Sequence, residues 1–157
     1  MSISSENQLK YENYKEQFKR LNRALDNGFN LEAIFIEYAI LEDRTESILR
    51  HAEKWEAYIK HQKGRNVAID SKIKYIIKCA ENKKDLLHKY FSDGVLESIL
   101  VWKEERNRLI HALLKQQLEH KEVSALALQG QELVKLLRAK SGNYNRAVER
   151  KKAKIAL

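Results

Sequence analysis

The sequence of 157 residues contains no proline, one cysteine and five glycines. Without proline, no residue forces a break in a helix, and the 33% of charged residues is typical of long solvated helices. A single cysteine excludes an internal disulfide framework. No apolar run approaches the roughly 20 residues of a membrane-spanning helix, and the N-terminal segment lacks the apolar core of a signal peptide. We therefore expect a cytoplasmic protein that does not associate with membranes.

The sequence does contain apolar residues at helical spacing. They recur three and four residues apart along most of the chain, and no stretch alternates as a strand would. The pattern predicts helices over about 6–26, 30–60, 70–91, 95–119 and 121–140. Gly28 predicts the end of the first helix, and Ser141-Gly142-Asn143 the end of the fifth. We expect an all-α, up-and-down bundle of about five helices. It would form one domain over residues 1–140, followed by a basic tail or frayed helix over 141–157.

The net charge of +8 is concentrated at the C-terminus. Residues 138–157 contain seven basic residues and one acid, Glu149, so this segment alone carries +6. One explanation of these basic residues is structural, because the partial negative charge at the C-terminal end of a helix favours cations there. The other is an arm that attracts RNA phosphates. The candidate RNA-binding residues are Arg146, Arg150, Lys151, Lys152 and Lys154.

The fourth predicted helix has an arginine in its apolar stripe. At about 100° per residue, Arg106 lies in the middle of this stripe, while Asn107 and His111 lie together at its edge. A buried guanidinium needs a partner, and Glu42 interrupts the apolar line of the second helix in the same way. A structural pair between Arg106 and Glu42 is one interpretation. A polar pocket with a chemical role is the other.

The segment Arg106-Asn107-x-x-x-His111, late in an all-α chain of this size, resembles the hallmark of the HEPN family. That hallmark is an arginine followed by four to six residues and a histidine, often with a polar residue directly after the arginine. The resemblance covers the bundle from about the second to the fifth helix. Some members carry a tyrosine two residues after the histidine, where this chain has Leu113. Many HEPN proteins are metal-independent ribonucleases of toxin–antitoxin, abortive-infection or CRISPR-associated systems.

The resemblance implies a mechanism and partners. The RNA 2′-hydroxyl would attack the adjacent phosphate and give a 2′,3′-cyclic phosphate. His111 would act as acid or base, Arg106 would stabilise the phosphorane, and Asn107 would position RNA or His111. A homodimer would bring two copies of the motif into one cleft. Glu42, by our own inference, would hold Arg106. An antitoxin or another regulatory partner would restrain the enzyme.

Two other functions remain open from the sequence. One is a non-catalytic HEPN-like module for dimerisation or interaction, and the other is a basic nucleic-acid-binding bundle that uses the C-terminal tail. We expect no metal and no cofactor, because Glu-x-x-His pairs and glycine-rich phosphate loops are both missing. The lone Cys79 fits a small core residue better than a nucleophile.

Overall fold

The computed structural model describes residues 5–157, and helices are the only regular secondary structure over that range. The all-α prediction is confirmed, but seven helices, not five, lie within the described residues. They are α1 (Ser5–Asp26), α2 (Asn30–His51), α3 (Trp55–Gln62), α4 (Ile69–Ala80), α5 (Leu86–Phe91), α6 (Val95–Ala112) and α7 (His120–Ile155). No helix in this part of the chain is long and apolar enough to cross a membrane.

The end of α1 follows the sequence signal. Gly28 adopts a left-handed φ of 73°, and the Phe29 amide donates to the Ala24 carbonyl at 2.8 Å. This is the Schellman arrangement, in which a left-handed residue closes the last turn of a helix. The predicted boundary near Asp26 is therefore confirmed.

The sequence predicts that the second helix continues to about residue 60, and this prediction is wrong. The helix stops at His51 because Glu53 takes a left-handed φ of 56° and the Lys54 amide donates to the Leu49 carbonyl at 2.9 Å. The same motif thus forms here without a glycine, so the usual signal is missing from the sequence. The predicted third helix is likewise divided into α4 and α5. Asp85 caps the N-terminus of α5, because its Oδ1 accepts a hydrogen bond from the Leu87 amide at 2.9 Å.

The last helix contains residues 141–157, for which the sequence predicts a basic tail or a frayed helix. α7 runs without interruption to Ile155, so the predicted helix end at Ser141-Gly142-Asn143 is wrong. Tyr144 explains the continuation, since it is buried against the rings of Phe91 and Tyr90, with centroids 5.5 and 5.9 Å away. Packing of this aromatic cluster keeps the segment helical despite its glycine and asparagines.

The core lies between α2 and α7, which form the most extensive helix–helix contact of the bundle. α1 covers another side of α2, and α6 packs on α7. Trp102 of α6 is fully buried and its indole N–H donates to the Leu126 carbonyl of α7 at 2.9 Å. This bond fixes the position of α6, and with it the arginine one turn further along.

Candidate functional site

Arg106 lies at the edge of the core, where α6 meets α2. Its guanidinium carbon is 4.2 Å from the ring centroid of Tyr38 and 5.3 Å from that of Phe35. The two aromatic residues are three apart on α2 and therefore share a face. We call Phe35, Tyr38 and Arg106 the Arg106 cluster. Nη1 of Arg106 also donates to Oδ1 of Asn107 at 3.0 Å, so the first two residues of the motif are joined.

The charge of Arg106 has no acidic partner among residues 5–157. Its Nε is buried without a hydrogen-bond acceptor, and the rings attract the cation without neutralising it. Arg108, two residues on, has the opposite surroundings: Glu105 lies 3.1 Å from its Nε, and Glu122 accepts from its Nη2. Of these two neighbouring arginines, only Arg106 keeps an uncompensated charge, which is the arrangement that attracts an anion.

The predicted ion pair between Glu42 and Arg106 is not formed in the structure. Glu42 instead lies 3.6 Å from Nζ of Lys72, which also has Glu46 at 3.6 Å. Lys72 is only 3% exposed, and a buried ammonium requires carboxylates. Arginine can rest on aromatic rings, whereas the lysine has no such alternative in its position. Glu42, the predicted partner of Arg106, therefore pairs with Lys72 instead.

The charges of Glu42 and Arg106 nevertheless both affect the pKa of Tyr38. Burial raises the pKa of its hydroxyl, the negative charge of Glu42 raises it further, and the positive charge of Arg106 lowers it. Glu42 thus lies in the same neighbourhood as Arg106 without contacting it. Phe35 and Tyr38 lie on the same apolar line of α2 that Glu42 interrupts. Only the acid was singled out from the sequence, because charge complementarity is easier to recognise than a cation–π contact.

His111 is exposed, one residue before α6 ends at Ala112. It is five positions beyond Arg106 and therefore points about 140° away from it around the helix, while Asn107 shares its side. The structure thus places the motif as two adjoining groups: a half-buried cation with its amide, and a solvent-facing imidazole. Leu113 and Leu114 follow Ala112, just after the end of α6, and are 37% and 100% exposed.

The basic residues of the C-terminal segment are far from the motif. Leu126 accepts from Trp102, close to the motif, and at about 1.5 Å of rise per residue α7 extends about 36 Å from Leu126 to Arg150. Lys152 pairs with Glu53 at 3.0 Å, and Arg146 donates to Asn143 at 2.6 Å. The remaining three candidates, Arg150, Lys151 and Lys154, are exposed. The two groups of candidate residues are not brought together within one chain.

Sequence reasoning missed the most unusual carboxyl group of the chain. Glu37 is fully buried, and neither side-chain oxygen has a hydrogen-bond partner. It lies against Gly130 of α7, where an added Cβ would be 2.7 Å from Cδ of Glu37 and 2.8 Å from Cζ2 of Trp102. Burial raises the pKa of Glu37 from 4.5 to about 8, so the carboxyl is mostly protonated at neutral pH. The one available signal was Gly130, a glycine in the middle of a helical pattern.

Among residues 5–157, no group of three or more His, Cys, Asp and Glu side chains is arranged to hold a metal ion. No protein-family model, curated protein or solved structure matches this chain. The function is therefore inferred from the geometry of the motif.

Proposed function

We propose that this chain is a metal-independent endoribonuclease of the HEPN type. The observation that supports the proposal most strongly is the uncompensated guanidinium of Arg106, held between α2 and α6 and hydrogen-bonded to Asn107. A cation in a partly desolvated position binds a phosphate more strongly than one that is already paired with carboxylates. Exposed His111, on the same helix, supplies an imidazole that can act as a general acid or base.

In the proposed reaction, the RNA itself provides the nucleophile. The 2′-hydroxyl loses its proton to one imidazole and attacks the adjacent phosphorus. The P–O5′ bond breaks, and a second imidazole protonates the leaving 5′-oxygen. Arg106 stabilises the additional negative charge of the phosphorane, and Asn107 orients the guanidinium. The products are a 2′,3′-cyclic phosphate and a 5′-hydroxyl, with no change in oxidation state.

The reaction needs two acid–base groups, whereas the motif contains one histidine. We propose that a homodimer supplies the second through the two-fold symmetry of a shared cleft. The exposed Leu113 and Leu114 beside His111 support this, since an apolar pair at a helix end is typical of a covered surface. A cytoplasmic role in phage defence or toxin–antitoxin control, with a neutralising partner, belongs to the same proposal.

The basic end of α7 would contribute electrostatic affinity for RNA and no chemistry. Arg150, Lys151 and Lys154 are exposed, about 36 Å along the helix from the level of the motif. Removing residues 141–157 would not test this contribution, because the deletion would also remove the buried Tyr144 and Val148. Substitution of the three exposed cations by glutamine leaves the core intact.

The test is cleavage of a labelled RNA oligonucleotide by the purified full chain in the presence of EDTA. We expect products that end in a 2′,3′-cyclic phosphate, and no cleavage of the DNA oligonucleotide of the same sequence, because DNA lacks the nucleophile. His111→Ala and Arg106→Ala should each lower the rate at least about 100-fold.

Arg108→Ala is the matched control, since it removes an arginine two positions away that is already paired with acids. It should cleave at close to the wild-type rate. RNA cleavage that His111→Ala leaves undiminished would contradict the proposal. A folded wild-type protein without any cleavage would favour the non-catalytic interaction module instead.

A further inference from the structure

An open groove of about 620 Å³ lies between α1 and α2, directly beside the Arg106 cluster. Ile36, Ala39 and Ile40 of α2 form its apolar part, and Leu9 and Tyr14 of α1 contribute the opposite wall. Phe35 belongs both to this groove and to the Arg106 cluster. The ring of Phe35 therefore lies between the groove and the guanidinium of Arg106.

Phe35 is unusually exposed for such a residue. About half of its surface, 53%, is accessible although the apolar groove begins beside it. Burial of a phenylalanine side chain stabilises a fold, and the bundle leaves about half of this side chain without that stabilisation. An exposed aromatic ring next to an unpaired arginine is the combination that binds single-stranded nucleic acid by stacking and charge.

The groove has no surplus of positive charge. Arg20 pairs with Glu32 at 3.0 Å, Lys10 lies 3.0 Å from Asp43, and Glu6 adds a third carboxylate to the lining. The groove itself therefore does not attract a phosphate. The remaining polar groups at its edge include the side-chain amides of Asn13 and Gln17, which both donate and accept hydrogen bonds.

We propose that this groove binds an unpaired nucleobase whose neighbouring phosphate lies at Arg106, so that the substrate is single-stranded RNA. A nucleobase has two apolar faces and a neutral edge of donors and acceptors. The apolar floor and aromatic walls match the faces, the amides match the edge, and the adjacent cation matches the phosphate. This inference rests on the proposed function, because it assigns the substrate of the same site.

The experiment measures binding without cleavage. All proteins carry His111→Ala, and a fluorescent single-stranded RNA is compared with its duplex form at fixed salt. Phe35→Ala removes the stacking ring, and Ala39→Phe fills the groove while leaving Phe35 and Arg106 in place. Each change should weaken single-strand binding about 5- to 150-fold and should leave duplex binding nearly unchanged.

Phe29→Ala is the matched control. Phe29 directly precedes α2, does not line the groove, and is 61% exposed compared with 53% for Phe35. It should bind like the parent protein. Unchanged single-strand affinity in both Phe35→Ala and Ala39→Phe would overturn the inference. So would dissociation of a dimer by these substitutions with unchanged RNA affinity, since the groove would then be covered by a second copy.

The inference and the proposed function fail in distinguishable ways. RNA cleavage by the wild type together with unaffected binding by the groove variants would refute the groove alone. Binding that depends on Phe35 and Ala39, in a chain that cleaves no RNA, would refute the ribonuclease and retain the nucleobase site. Absence of any RNA binding would overturn the inference.

Discussion

Glu37 and Arg106 are two ionisable groups without an ionic partner, and the molecule treats them differently. Glu37 lies in the core against Gly130 and Trp102, fully buried. Arg106 lies one helical turn beyond Trp102, at the edge of the core and half-buried over Tyr38. The two groups lie close along α2, since Arg106 contacts Tyr38, the residue directly after Glu37.

The difference follows from how each group can lose its charge. A carboxyl becomes neutral by keeping its proton, and burial raises the pKa of Glu37 to about 8. A guanidinium stays charged at any pH that a protein withstands, so it cannot be buried in this way. Arg106 remains at the edge of the core, where its guanidinium contacts aromatic rings and is partly exposed to solvent. An unpartnered acid can therefore become part of the core, whereas an unpartnered arginine stays charged at its edge.

The largest expected effect is on the pH dependence of stability at Glu37. Below about pH 4.5 both the folded and the unfolded chain hold this proton. Between about 4.5 and 8 the unfolded chain releases it while the folded chain retains it, so the free energy of unfolding falls as the pH rises. Above 8 this fall levels off. Glu37→Gln, which cannot ionise, should gain up to about 4 kcal/mol relative to the wild type between pH 5 and pH 8.

Urea unfolding at pH 5, 6.5 and 8 measures this difference. Glu16→Gln, an exposed position on α1, is the control and should follow the wild type at each pH. A Glu37→Gln curve parallel to that of the wild type over the whole range would show that Glu37 is ionised in the folded chain.

A somewhat smaller effect is expected from steric crowding at Gly130. Alanine there would place its Cβ within 3 Å of both Glu37 and the fully buried Trp102. Alanine favours a helix over glycine by up to about 1 kcal/mol, but crowding a packed core costs roughly 1–3 kcal/mol. We expect Gly130→Ala to lower the free energy of unfolding by about 1–2 kcal/mol.

Gly142 of the same helix provides the matched comparison. An added Cβ there meets only a side-chain nitrogen of Arg146, at 3.7 Å. Gly142→Ala should therefore stabilise the chain by up to about 1 kcal/mol in the same denaturation measurement. Equal effects of the two substitutions would refute the close packing of α2 and α7 at Gly130.

The smallest expected effect concerns the contact between Tyr38 and Arg106. A double-mutant cycle of Tyr38→Leu and Arg106→Met should give a coupling energy of about 0.5–1 kcal/mol, the value of a cation–π contact near a surface. The same cycle with Arg108→Met should give none, because Arg108 pairs with Glu105 and Glu122. Equal coupling in both cycles would mean that Tyr38 does not hold Arg106.

The candidate site was predictable where its signal was local. The spacing of Arg106, Asn107 and His111 along one helix follows from helical geometry, and the hydrogen bond between Arg106 and Asn107 joins adjacent residues. The partner of Arg106 was not predictable, because it depends on which part of α2 faces α6. Lys72, on a third helix, takes Glu42, and no pattern within α2 or α6 contains that information.

The sequence by itself determined an all-α chain, the boundary after α1 and an arginine placed against an apolar stripe. These depend on periodicity, a glycine and the absence of proline, all of which act within a few residues. Only the tertiary structure decided that Tyr144 extends α7 through the basic segment and that Glu37 is buried against Gly130. It also decided that aromatic rings rather than Glu42 lie beside Arg106. Each of these depends on contacts between distant helices, where the free energy of burial decides which side chains meet.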